Sequence, residues 1–193
     1  GRSFMATPIA ITVEGANILT RSLIIFGQGA IRCHPFVLKE LEAAQNNDVK
    51  LGLYNFDKAL FGHIGYAISN LSRSFILAIT NARYSKTPVN TNTKRYYQHI
   101  NRYSAAFAVA SDFAMLSLGG ELKKKELLSA RLGDVLSSMY LASSVLKHYE
   151  NQGCKPDDLP LVQWSVRTLM YEAQEKLHNF LKNIPNRPLA SFL

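Results

Sequence analysis

Between residues 56 and 184, apolar side chains return every three or four positions in four separate runs, and this period constrains the fold more than any other feature. The first run is Leu60, Ile64, Ile68, Leu71, Phe75 and Ile79; the second is Tyr96, Ile100, Tyr103, Phe107, Ala110 and Ala114. The third is Leu128, Leu132, Val135, Met139, Ala142, Leu146 and Tyr149, and the fourth Val162, Val166, Leu169, Ala173, Leu177 and Phe180. Residues so spaced share one face of an α-helix. A helix with a single apolar stripe is marginal alone, so four of them on short connections are expected to bury their stripes against one another as an antiparallel bundle. The breaks agree with this reading. The first helix is expected to end near Tyr84, ahead of a polar loop at 87–93. Gly119-Gly120 stops the second helix, Gly153 follows the third, and Pro160 suits the first turn of the fourth.

Upstream, only Ile9-Ala10-Ile11-Thr12-Val13 reads as a short extended segment. A helix is expected from about Ala16 to Arg32, stopped by His34-Pro35. A short one follows from about Pro35 to Gln45, stopped by Asn46-Asn47-Asp48, with 49–55 as a connector. The fold class is therefore all-α, an antiparallel helical bundle preceded by a short extended segment and a helical unit. The boundary falls between an N-terminal unit at 1–48 and a bundle at 49–193, whose last residues from Pro185 read as a trimmed end. No internal repeat or low-complexity tract is present.

Composition narrows the class further. Hydrophobic residues make up 47% of the chain, but the densest run, Leu23-Ile24-Ile25-Phe26, is far shorter than the ~20 residues of a membrane span. No transmembrane helix is expected. The start, Gly1-Arg2-Ser3-Phe4-Met5, lacks an initiator methionine and the flanks of a secretory signal, which suggests a fragment. Cys33 and Cys154 form no framework, so a reducing, cytoplasmic setting is the expectation. A net charge of +8 attracts anionic partners in general, but the cations are spread over all four helices, which ranks nucleic acid last.

Glu14 stands just before an apolar helix, where a carboxylate is favoured by the helix dipole alone. Its neighbours point further. Ile11-Thr12-Val13-Glu14-Gly15-Ala16-Asn17-Ile18-Leu19-Thr20-Arg21-Ser22-Leu23-Ile24 resembles the Y-E-G-T-x-x-I-x-R-x-I segment near the C-terminal end of acyl-CoA dehydrogenases, with Glu, Gly and Arg keeping their mutual spacing. The stretch Gly27-Gln28-Gly29-Ala30-Ile31-Arg32-Cys33-His34-Pro35 resembles the large proteobacterial members of fatty-acid β-oxidation, which carry an extra helical C-terminal domain. Blocks at 94–99, 129–137, 140–147 and 158–162 resemble that extra domain.

The resemblance implies that 1–48 ends the catalytic helical domain and that 49–193 is the appended bundle. It implies an FAD-dependent enzyme oxidising fatty acyl-CoA to trans-2-enoyl-CoA. In this scheme Glu14 removes the α-proton while the β-carbon delivers hydride to the flavin. Burial beside substrate and flavin raises such a carboxylate's pKa towards working pH, and its backbone N–H helps to polarise the thioester carbonyl. Gly15, Ala16 and Arg21 become substrate- or cofactor-adjacent. Ala16 replaces a common threonine and Ile18 a common polar residue, so flavin contacts do not transfer to them. An electron-transferring flavoprotein is the implied acceptor and a homo-oligomer the implied assembly. The earlier flavin-binding segments are missing, so the isolated chain is expected to be inactive. The alternative is a non-catalytic helical module for dimerisation or peripheral docking at the inner membrane.

Other candidates weigh less. His34, His63, His99, His148 and His178 show no metal-ligand spacing, so no metal is expected. Lys123-Lys124-Lys125 reads as a solvated face, and Gly62 and Gly65 as close-packing positions. Asp112, among Ala110, Phe113 and Ala114, is expected in a buried polar layer with Arg131 and Asp134, against an even chance that it faces solvent.

Overall fold

The computed structural model describes residues 28–89 and 92–185. Among them are six α-helices and no strand: α1 (Gly29–Cys33), α2 (Val37–Ala44), α3 (Val49–Ile79), α4 (Lys94–Leu118), α5 (Glu126–Asn151) and α6 (Leu159–Asn183). Short 3-10 turns at Gly119–Lys123 and Pro156–Asp158 join the last three. The all-α expectation holds. The extended segment at 9–13 lies outside the described residues.

The core is built by α4, α5 and α6. At one end Ala110, Ala114, Leu122, Leu128, Leu132, Phe180 and Ile184 pack together. Val135, Met139 and Ala173 fill the middle. At the other end are Ala142, Leu146, Tyr149, Val162, Val166 and Met170. All but Leu122, Met170 and Ile184 belong to the periodic runs, and each large aliphatic one buried fully contributes ~1.5–3 kcal/mol. The stops around α4, α5 and α6 fall where expected. Gly119, at φ 49°, ends α4 in a conformation that costs an L side chain, and Pro160 sits in the first turn of α6.

The connector expected at 49–55 is instead helical. Asp48 caps α3, its Oδ1 accepting from the backbone N–H groups of Lys50 at 3.0 Å and Leu51 at 3.2 Å, while Asn46 Oδ1 accepts from Asp48 N–H at 2.9 Å. The polar triplet that stops α2 therefore also starts α3. Gly52 hid this in the sequence. A Cβ there would stand 2.9 Å from the Ala43 carbonyl, so glycine is what lets α2 and α3 meet closely enough to reverse the chain. The far end of α3 is shorter than expected, stopping at Ile79 rather than near Tyr84. Asn81 and Ala82 adopt left-handed φ values of 49° and 55°, and Ala82 N–H closes the turn on Leu77 O at 2.8 Å. Arg102 Nη1 on α4 then donates to Asn81 Oδ1 at 3.0 Å, and Gln98 Nε2 to Arg83 O at 2.8 Å.

A second correction concerns α3 as a whole. Its stripe was expected to be buried with the other three, yet Ile68, Leu71, Phe75 and Ile79 are all more than half exposed. Only Gly52, Ala59 and Asn70 of α3 are buried. The residues of α3 that are fully buried are small or polar, and most of its large apolar side chains turn outward. A row of this length on one helix is larger than the singly scattered apolar residues of an ordinary surface.

The stretch Lys94–Leu122 is long and apolar enough, by composition alone, to cross a membrane. Here it packs into the bundle through buried Ala105, Ala110 and Ala114, and core helices meet the same criterion.

Candidate functional site

Glu14, Gly15, Ala16 and Arg21 lie outside the described residues. Within them, chemistry-bearing side chains gather where the turn between α1 and α2 meets α3 and α4. His34, at the end of α1 and just before Pro35, turns its ring back onto α2. Its Nδ1 accepts from the backbone N–H groups of Phe36 at 3.3 Å and Val37 at 3.1 Å, serving as a helix cap where no Ser, Thr or Asp is present. With Nδ1 accepting, a neutral ring carries its proton on Nε2.

That Nε2 lies 3.2 Å from Asp112 Oδ1 on α4. The approach is a close polar contact off the hydrogen-bond axis, and Asp112 Oδ2 is buried without a hydrogen-bond partner of its own. On α3, His63 Nδ1 lies 2.8 Å from Glu40 Oε1 of α2. Ring contacts tie the group together. The centroids of His34 and His63 are 4.5 Å apart, Tyr66 meets His34 edge-on at 5.4 Å, and Phe36 stacks on His63 at 6.1 Å. Phe36 also fills the space over Gly62, where a Cβ would come within 2.4 Å of its ring, so this glycine serves close packing as expected. Gly65 does not, since open space surrounds it.

The expected polar layer at Asp112 is thus real, but its partner is His34. Asp134 pairs instead with Lys176 Nζ of α6 at 3.1 Å. Arg131 lines a groove of about 400 Å³ with Lys124, Lys125 and Asn183. Lys124 is held by Glu121 Oε1 at 2.7 Å on an exposed face, in keeping with a solvated role. Sequence spacing missed His34, His63 and Asp112 as a group because they stand on three separate elements.

Burial pushes the His34 pKa below its ordinary value; Asp112 opposes the shift and His63 adds to it. Burial likewise lowers His99, with Arg95 and Arg102 adding to the effect. Both imidazoles resist protonation in the folded state more than in the unfolded chain, whose histidines titrate near ~6.5. Their contribution to stability is fully present above that pH and is lost as pH falls through the lowered folded values. Urea melts in chelator-treated buffer, stepped from neutral to mildly acidic pH, are expected to show falling stability, with a flatter profile for His99→Gln. A profile that did not change over this range would contradict the assignment.

Residues 31–193 match the family described as acyl-CoA dehydrogenase, C-terminal, bacterial type. The chain belongs to that family. The match takes in α2 to α6 and most of α1, so the all-helical body is the C-terminal domain of a bacterial-type acyl-CoA dehydrogenase. No solved structure matches the chain.

Acyl-CoA dehydrogenases are generally FAD-dependent. A groove of about 600 Å³ between α5 and α6 is lined by Leu141, Val145, Tyr149, Leu161 and Val162, with His148 and Asp158 at hand. Its lining holds no lysine or arginine for a pyrophosphate, and Asp158 adds a carboxylate there. This groove therefore does not fit the pyrophosphate of a flavin dinucleotide.

Proposed function

We propose that this chain is the C-terminal part of an enzyme that converts fatty acyl-CoA to trans-2-enoyl-CoA in β-oxidation, with FAD bound by the complete protein and Glu14 as the α-proton-abstracting base. The family match over 31–193 is the observation that carries the reading. The residues just ahead of that match supply the motif Glu14-Gly15-Ala16 and, further on, Arg21. In this reading Glu14 takes the proton as charge develops on the thioester, Gly15 keeps the backbone clear for the substrate, and Arg21 supports the segment. The flavin supplies the two-electron acceptor when bound. An electron-transferring flavoprotein is the proposed reoxidant, a homo-oligomer the proposed assembly, and the cytoplasm the proposed location.

The complete protein, purified and mixed anaerobically with a series of fatty acyl-CoA esters, is the test. Bleaching of a bound flavin together with formation of the enoyl-CoA is the expected result. A protein that binds no flavin, or whose flavin no acyl-CoA reduces, would remove the reading.

The exposed apolar face of α3 favours a second role alongside the first, in which the bundle docks to a second subunit or to the inner membrane surface. Salt-sensitive binding of the complete protein to anionic vesicles separates the two partners, since subunit contact alone leaves the vesicles bare.

A further inference from the structure

We propose that His34, His63 and Asp112 form a binding site for one divalent transition-metal ion of the zinc class. One ligand-capable atom from each lies within 4.8 Å of the other two, although the residues come from the α1–α2 turn, α3 and α4. The 3.2 Å between His34 Nε2 and Asp112 Oδ1 is close to the edge of a tetrahedron around such an ion, about 3.3 Å for bonds of ~2.0–2.1 Å. Only the third ligand has to close in.

Burial supplies an independent argument. The His34 side chain is 6% exposed, and its Nε2 and Asp112 Oδ2 have no hydrogen-bond partner. Buried polar atoms are nearly always paired, so an unpartnered Asp112 Oδ2 beside a His34 Nε2 whose 3.2 Å carboxylate contact is off the hydrogen-bond axis marks a place where a cation is stabilised. Glu40 adds the outer support that metal-bound histidines usually have. It engages His63 Nδ1 at 2.8 Å, which fixes the tautomer and leaves the Nε2 lone pair free. Two imidazoles and one carboxylate suit zinc, cobalt, nickel or copper better than magnesium or calcium. Three protein ligands also leave a fourth position open to water.

Capture of the ion has a local cost. An ion on His34 Nε2 moves the ring proton to Nδ1, where the amides of Phe36 and Val37 now donate. The first turn of α2 loses its cap in exchange, and metal binding becomes coupled to that helix end. Affinity is accordingly expected below that of a closed structural zinc site.

The test uses the complete protein, stripped with chelator and titrated with zinc by calorimetry and with cobalt by visible absorption. One ion per chain is expected, with the absorption of a nitrogen- and oxygen-ligated tetrahedral cobalt. Asp112→Asn and His63→Ala should each weaken binding at least tenfold, and Glu40→Gln by ~10-fold or more. His148→Ala, a surface control, should leave it unchanged. His34→Ala removes a cap and risks unfolding, so the decision rests on Asp112→Asn and His63→Ala, whose folding is checked by metal-free thermal melts. No saturable binding below millimolar metal, or binding that both folded variants retain, would overturn the site and leave a purely structural polar clamp.

Discussion

A Glu14→Gln enzyme is expected to dehydrogenate acyl-CoA at least ~10²-fold more slowly than its parent while keeping its flavin. The amide is nearly the same size as the acid, so shape at the segment is preserved, but it has no basic oxygen to accept the α-proton. A base removed from a concerted step lowers kcat, whereas a residue that only shapes the pocket alters KM more. The result is read as the single-turnover rate of flavin bleaching at saturating acyl-CoA. A rate unchanged in the variant would take Glu14 out of the mechanism, with the family membership of the chain untouched.

Phe180→Ala is expected to destabilise the bundle by ~3–5 kcal/mol. Phe180 is fully buried where α4, α5 and α6 converge with Leu122, Leu128 and Leu132, so truncation leaves a hole that the surrounding helices close only in part. Ile68→Ser is the contrasting case. Although Ile68 belongs to an equally regular stripe, it is 60% exposed, and its loss should change stability by no more than ~0.5 kcal/mol. Urea denaturation of both variants measures the difference. A large loss for Ile68→Ser would mean that α3 is covered in solution by a part of the protein outside the described residues.

That pair of substitutions also marks how far the helical pattern can be read. The run from Leu128 to Tyr149 and the run from Val162 to Phe180 were legible because a helix that buries one face must repeat apolar residues near its own turn. Leu60 to Ile79 repeats in the same way and yet stays open, because periodicity reports that a face is apolar without reporting what covers it. Residues 49–55 were misread for a local reason. Gly52 interrupts the pattern with a poor helix former, and its purpose is the 2.9 Å approach to Ala43 O, a contact made across the turn between two helices.

The candidate residues divide along the same line. The roles proposed for Glu14, Gly15, Ala16 and Arg21 rest on a motif of near neighbours in the chain. Asp112 could be picked out as a charge among apolar residues, but Arg131 and Asp134 were the wrong partners: the distances between helices that bring His34 to 3.2 Å from it are not written in any spacing.

The amino-acid sequence by itself determined the helical class, the apolar faces that α4, α5 and α6 bury, most of the helix stops and the family. These rest on interactions between residues a few positions apart. Tertiary structure alone decided that α3 faces outward and that His34, His63 and Asp112 meet. Both depend on how three elements distant in sequence settle against one another, and packing of that kind is set by side-chain volumes and chain reversals acting together rather than by any repeat along the chain.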